Sequence, residues 1–261
     1  MSDLIFLSNH YGFYEIRMFD LPSLAICLLL IVLLGNKYRI NTNYQIILAL
    51  HCIVPFLLNG LLFDAGYMPD QFKYWAGVNN IRANQIGFFN ALSDPGNVLQ
   101  ASAFLSILPF PSPISVISLG FYNTFIYIAL FFILYANKIF TKLSVWFYLL
   151  FPSAALYSGL SLRETLIFFF MAISIMYARK SKVVLSLAFL IPLYMIKFQN
   201  FLILAPIVLL YFLFKVSEKG MSLRTSFLIA VISLLGLLAA APIAIPEINR
   251  FRASMYVEDG G

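Results

Sequence analysis

Charged residues cut this chain into apolar runs, and the lengths of those runs are its first signal. No Asp, Glu, Lys or Arg interrupts residues 21–36, 40–63, 95–137, 143–162, 165–178, 183–196, 198–214 or 225–246. A helix needs about 20 residues to span a hydrocarbon core of roughly 30 Å at about 1.5 Å per residue. The runs 40–63, 143–162 and 225–246 meet that length outright. Those at 165–178 and 183–196 have only 14 residues each, which puts a flanking charge at or inside the membrane boundary. The run 95–137 has 43 residues, too many for one helix, and Pro109, Pro111 and Pro113 interrupt it. None of these prolines can donate a helical hydrogen bond.

The pattern predicts an all-α polytopic membrane protein in a single domain, 1–261. Its eight transmembrane helices lie near 20–36, 43–63, 113–136, 143–159, 163–178, 183–196, 199–214 and 225–246. A re-entrant segment over 97–112 dips into the membrane without crossing. Ser93-Asp94-Pro95 reads as the start of that segment, with Asp94 as N-cap and Pro95 at the first helical position. Irregular backbone at that depth must be buried in protein or line a wet cavity. The preceding loop, 64–96, is the longest polar stretch. Its Phe72, Trp75, Val78, Ile81, Ile86 and Phe89 fall loosely on one side of a helix, which predicts a helix lying in the outer interface.

Composition agrees with this class. The chain is 62% hydrophobic and only 11% charged, against roughly a quarter in soluble domains. That excludes a soluble enzyme, a nucleic-acid binder or a disordered regulator as a reading of the whole chain. The sign of the charges orients it. With the N-terminus outside and 97–110 not crossing, the inner loops hold Lys37, Arg39, Lys138, Lys142, Arg179, Lys180, Lys182, Lys215, Lys219 and Arg224, against Glu218 alone. If 97–110 crossed, the inside would keep six of the 17 positives. The first arrangement obeys the positive-inside rule, with both termini outward and the inner cations acting as anchors. Asp3, Glu15 and Asp20 precede the first apolar run, so that run reads as a retained helix, not a secretory signal. Cys27 and Cys52 sit inside apolar runs, where neither a disulfide nor a metal site is expected.

A few polar residues have no topological reason. Arg82 lies among the apolar positions of the outer loop, where it either snorkels to headgroups or points at an anionic ligand. Arg163 and Glu164 stand between two apolar runs, and an ionisable pair at the membrane edge costs several kcal/mol unless paired or wet. Lys197, Gln199 and Asn200 fill another tight turn, as turn formers or as donors to a phosphate or sugar. His51 is about 13 residues, or roughly 20 Å of helix, from Asp64, so an interhelical hydrogen bond suits it better than catalysis. The chain carries no HExxH, P-loop, GxSxG, CxxC or dinucleotide motif, and no metal or cofactor is expected.

The order of these features resembles the EpsG-like and O-antigen (Wzy-type) polymerases of bacterial membranes. A short first helix, a basic inner loop and a second helix lead to Pro69-Asp70-Gln71-Phe72-Lys73-Tyr74, which matches the Pro-Asp-x-x-x-Tyr motif of those families. Ser158-Gly159-Leu160-Ser161-Leu162-Arg163-Glu164-Thr165 resembles their Ser…Arg turn, with Ser158 or Ser161 as the serine. Lys197-Phe198-Gln199-Asn200 stands where a basic or His position opens the next outer turn. Glu164 and Lys197 depart from the Gln and His common there. The final segment, Arg250 to Gly261, resembles the middle of an outer loop, so a shortened member is expected.

The resemblance implies a polysaccharide repeat-unit polymerase, or a related glycosyltransferase, at the outer face of the cytoplasmic membrane. Its substrate would be a polyprenyl-diphosphate-linked oligosaccharide, with membrane lipid and polysaccharide-assembly proteins as further partners and no nucleic acid. Arg163, Arg82 and Lys197 would stabilise charge on the departing diphosphate. Asp70, and after it Glu164, would be the general base. Tyr74 and Trp75 would stack on sugar rings, and Gln199 and Asn200 would bind substrate. A multi-helix glycosyltransferase adding single sugars, and a non-catalytic membrane protein or transporter, stay open as alternatives.

Overall fold

The computed structural model describes residues 18–59, 61–64, 67–94 and 97–217, with side chains to 212. The predicted helix 225–246, both termini and Pro95 lie outside the described residues. Within them the chain is helical, with a single isolated bridge, Asn59 to Phe63, and no strand.

After a 3₁₀ turn at Met18–Asp20 come α1 (Leu21–Tyr38), α2 (Thr42–His51), α3 (Val54–Leu58), α4 (Asp70–Arg82), α5 (Phe88–Ser93), α6 (Asn97–Ser106) and α7 (Val116–Ala136). Then follow α8 (Lys142–Leu150), α9 (Pro152–Gly159), α10 (Glu164–Arg179), α11 (Val183–Ala188), α12 (Leu190–Ile196) and α13 (Phe198–Ser217). Of these, α1 and α7 are long and apolar enough to cross a membrane by themselves. The segments expected as continuous helices at 43–63, 143–159 and 183–196 are each two shorter helices instead.

Proline explains the breaks, because it cannot donate to the carbonyl four residues back. Pro152 lies just past the end of α8, and the carbonyls of Tyr148 and Leu149 are satisfied from other helices. The Tyr127 hydroxyl donates to Tyr148 (2.6 Å), and the His51 Nε2 meets Leu149 (2.8 Å). His51 also stacks on Tyr127, with ring centroids 4.7 Å apart. It is therefore an interhelical hydrogen-bonding residue, as its position in the sequence predicted.

The core is built around α7, which is buried along most of its length. Its Gly120 permits the closest approach: a Cβ there would lie 2.6 Å from the Gly159 carbonyl oxygen. Gly159 is equally confined, since its own Cβ would lie 2.6 Å from the Val54 Cγ1. The helices α3, α7 and α9 thus meet at one point, where any side chain on either glycine would push them apart.

Helix α4 does not present its apolar face to an interface. Phe72, Tyr74, Val78 and Ile81 are buried, and α4 packs along α6. Of the predicted stripe, Phe72, Val78 and Ile81 are covered by protein, Trp75 and Ile86 are half-buried, and Phe89 alone is strongly exposed. Beyond α6 the chain turns beside α7, where the Phe110 ring stacks on Tyr122 (4.5 Å) and meets Phe125 edge-on (5.2 Å). Those residues lie roughly 10–15 Å along α7 from Ser115. The segment therefore packs alongside the first turns of α7 and returns to the start of the same helix.

The proline turn there has no helical hydrogen bonds, and side chains satisfy it. Arg82 donates to the carbonyls of Ser106 (3.0 Å), Leu108 (2.7 Å) and Phe110 (2.5 Å). The Tyr122 hydroxyl donates to Pro111 (2.6 Å), and the Trp75 indole (2.9 Å) and Asn79 amide (3.0 Å) donate to Pro113. Unpaired carbonyls in a water-poor interior cost several kcal/mol each, which accounts for so many donors around one turn.

Candidate functional site

The turn between α9 and α10, residues 160–163, carries the Ser…Arg motif, and three segments hold it. Asn123 of α7 donates to the carbonyls of Leu160 (2.6 Å) and Leu162 (2.5 Å), and Thr124 donates to that of Ser158 (2.9 Å). Asn59 reaches the Gly159 carbonyl (3.4 Å), and the backbone N–H of Ser161 donates to Gln71 of α4 (2.8 Å). Ser158 and Ser161 are fully buried, and their hydroxyls donate to the backbone of Ala155 and Val116. The serines of this motif are structural. What the turn presents is its last residue, Arg163, followed by Glu164 at the start of α10.

Arg163 is half-buried, and its guanidinium donates to the carbonyl of Ile196 (3.3 Å) at the end of α12. That brings the Arg163 turn to the Lys197 turn. Burial and the neighbouring Arg163 hold the Lys197 ammonium below the usual lysine range, with Glu164 opposing them. Helix α4 comes to the same place. Burial pushes the Tyr74 hydroxyl well above its usual range; Arg163 opposes that shift, while Glu164 and Asp70 add to it. Asp70, Tyr74, Arg163, Glu164 and Lys197, from three separate parts of the chain, are therefore linked through shared electrostatic fields.

Two cavities flank Glu164. One, of about 350 Å³, is lined by Glu164, Ile167, Phe168, Met171, Lys197 and Asn200. The other, of about 190 Å³, is lined by Tyr127, Phe151, Ser153, Ala154, Tyr157, Glu164, Thr165 and Phe168. The Glu164 Oε2 is buried without a hydrogen-bond partner among the described residues. Carboxylate, ammonium and the Asn200 amide, which contacts the Met171 Sδ at 3.4 Å, surround the larger space. An anion can bind to the Lys197 ammonium there, and a hydroxyl beside it can give its proton to the carboxylate.

The other expected site residues lie elsewhere. Asp70 opens α4 and is exposed, paired with Lys73 at 3.1 Å, and lines neither cavity. Trp75 uses its indole N–H on the Pro113 carbonyl. Gln199 is half-buried at the start of α13 and outside both linings. Arg82 neither snorkels nor faces a ligand: its three carbonyl acceptors are joined by the Tyr122 ring, 5.1 Å from its guanidinium carbon. It closes the turn between α6 and α7.

Some residues at this end escaped the sequence reading. Gln71 and Asn123 hold the motif turn, and both carried a signal: Gln71 is the polar position inside the Pro-Asp-x-x-x-Tyr motif, and Asn123 is an amide in the middle of an apolar helix. Asp20 is fully buried and accepts hydrogen bonds from Ser115 (2.6 Å) and Ser118, joining the start of α1 to the start of α7. The chain matches no known protein family, no curated protein and no solved structure.

Proposed function

We propose that this chain is a multi-pass protein of the bacterial cytoplasmic membrane that transfers sugars from a polyprenyl-diphosphate-linked oligosaccharide at the outer face, as a repeat-unit polymerase or a related glycosyltransferase. The membrane placement draws on the distribution of surface apolar side chains. Leu29, Val32 and Leu33 on α1, Ile46 and Leu50 on α2, Phe147 and Leu150 on α8, and Ile203 and Ile207 on α13 are all exposed. Buried amides and hydroxyls meanwhile hold the interior, the reverse of a water-soluble distribution. Seven crossings follow among the described residues if each pair of short helices counts as one passage, and the helix expected at 225–246 would be the eighth.

One observation carries the catalytic reading: Glu164 and Lys197 line one cavity between α10 and α13, and Arg163, outside its lining, is held at the same end of the bundle by the Ile196 carbonyl. In this reading Arg163 and Lys197 bind the diphosphate and stabilise the charge that develops as the anomeric carbon–oxygen bond breaks. Glu164 takes the proton of the attacking hydroxyl. It replaces Asp70 as first choice because it lines the cavity and has an oxygen without a donor. Asp70, paired with Lys73 outside the cavity, takes no direct part.

The test is a glycan gel from cells that express the chain and make the polysaccharide. Arg163→Ala and Glu164→Gln should each collapse the ladder of repeats, while Asp70→Asn shortens it less. The reading fails if Arg163→Ala and Glu164→Gln both leave chain length unchanged. Products extended by one sugar would favour the single-sugar glycosyltransferase.

A further inference from the structure

A second polar cavity, of about 500 Å³, lies at the opposite end of the bundle, between the ends of α1, α2, α7 and α8. Tyr38, Tyr44, Tyr135, Thr141, Lys138 and Lys142 supply its polar lining. Its surroundings are rich in basic residues. The segments 36–44, 135–146 and 177–186 that form this end contain Lys37, Arg39, Lys138, Lys142, Arg179, Lys180 and Lys182 and no acid. Lys180 ties two of these segments together by donating to the Asn137 side chain. Lysine offers donors only, and tyrosine and threonine hydroxyls can add more. The complement of such a cavity is a compact anion rich in acceptor oxygens.

What lies along the helices from the cavity narrows the choice. Ile46 and Leu50 on α2, and Leu143, Phe147 and Leu150 on α8, are exposed. They continue from the lysine-bearing end as an apolar surface on the two helices that line one side of the cavity. A basic mouth above a strip of aliphatic and aromatic surface fits a molecule with an anionic head and hydrocarbon chains. An inorganic anion would meet the lysines and leave that strip uncovered.

We propose that this cavity binds the headgroup of an anionic phospholipid, with the phosphate at Lys138 and Lys142, the tyrosine hydroxyls donating to the headgroup, and the acyl chains along α2 and α8. The site is distinct from the one around Glu164 and rests on the membrane placement proposed above. It does not depend on the transfer reaction.

The experiment uses the full chain purified in detergent, with phosphatidylglycerol, phosphatidylcholine of the same chains, or inorganic phosphate added. Lipid retention is read by native mass spectrometry and stability by thermal unfolding. Phosphatidylglycerol should be retained and should raise the unfolding midpoint more than the other two. The double variant K138A/K142A, at two exposed positions, should weaken its apparent affinity about tenfold or more, equivalent to about 1.4 kcal/mol. Tyr135→Phe, which removes only a hydroxyl, should weaken it less, and Lys182→Ala, outside the cavity lining, should leave it unchanged. Equal retention of phosphatidylglycerol by K138A/K142A, or an equal shift with inorganic phosphate alone, would overturn the lipid site. A chain recovered in the soluble fraction without detergent would overturn the membrane placement as well, so the two failures are distinguishable.

Discussion

Replacing Arg82 with alanine removes a side chain that joins three carbonyls of the turn between α6 and α7. A hydrogen bond from a charged donor contributes about 1.5–3 kcal/mol, so three set a ceiling near 9 kcal/mol, before any contribution from the Tyr122 ring. Arg82 is half-buried, and the three bonds act as one unit, so water and non-additivity reduce the expected loss to about 3–5 kcal/mol. Against a total stability of about 5–15 kcal/mol, that is a large fraction. At about 2–4 °C per kcal/mol for a chain of this size, the unfolding midpoint should fall by roughly 10 °C. Fluorescence-detected size exclusion in detergent after graded heating reads it directly. Arg82→Lys keeps the charge but loses the fork, and should fall between the two. If Arg82→Ala stays monodisperse with a midpoint within about 3 °C of the parent, the capping role is refuted and Arg82 returns to the candidate substrate cations.

Three further outcomes follow from the geometry. Gly159→Ala forces a Cβ to 2.6 Å from Val54 and should cost about 1–3 kcal/mol, with Val54→Ala as a partner substitution that recovers part of the midpoint. Tyr127→Phe leaves the Tyr148 carbonyl without its donor and should cost about 1–3 kcal/mol in the same assay, whereas an unchanged midpoint would show that the break at Pro152 needs no partner. Because burial and Arg163 lower the Lys197 pKa, the cation is lost at lower pH than in an ordinary lysine. Activity that needs it should fall on an alkaline limb beginning below the usual lysine range, and Lys197→Arg should move that limb upward. The stability contribution runs the other way: the unfolded chain holds this proton more tightly, so stability rises as pH climbs from the folded pKa to the unfolded one.

The segmentation into apolar helices was legible because charge and proline act locally. Lys37, Arg39 and Lys138 mark helix ends, and Pro109, Pro111 and Pro113 mark a break, without reference to any neighbour. The same locality misled at α4. Its apolar stripe was plain, but a stripe covered by lipid and one covered by α6 have the same period. The continuity of 43–63 and 143–159 was overestimated for a related reason. Length was counted through Pro55 and Pro152, whose freed carbonyls needed partners that sequence does not name.

By itself the sequence determined the helical class, the places where helices end, and the short roster of polar residues without a topological reason. Only the tertiary structure decided what each of them does. Arg82 and Arg163 are both arginines beside apolar residues, and nothing local separates them. Arg82 reaches carbonyls 24 to 28 residues away, at the end of α6 and in the turn after it, and it is satisfied there. Arg163 meets one carbonyl at the end of α12, next to Glu164 and Lys197, which line a cavity. The difference lies in which unsatisfied groups come within about 3 Å of each guanidinium, and that is a property of the folded chain, because separation along the sequence carries no information about distance in space.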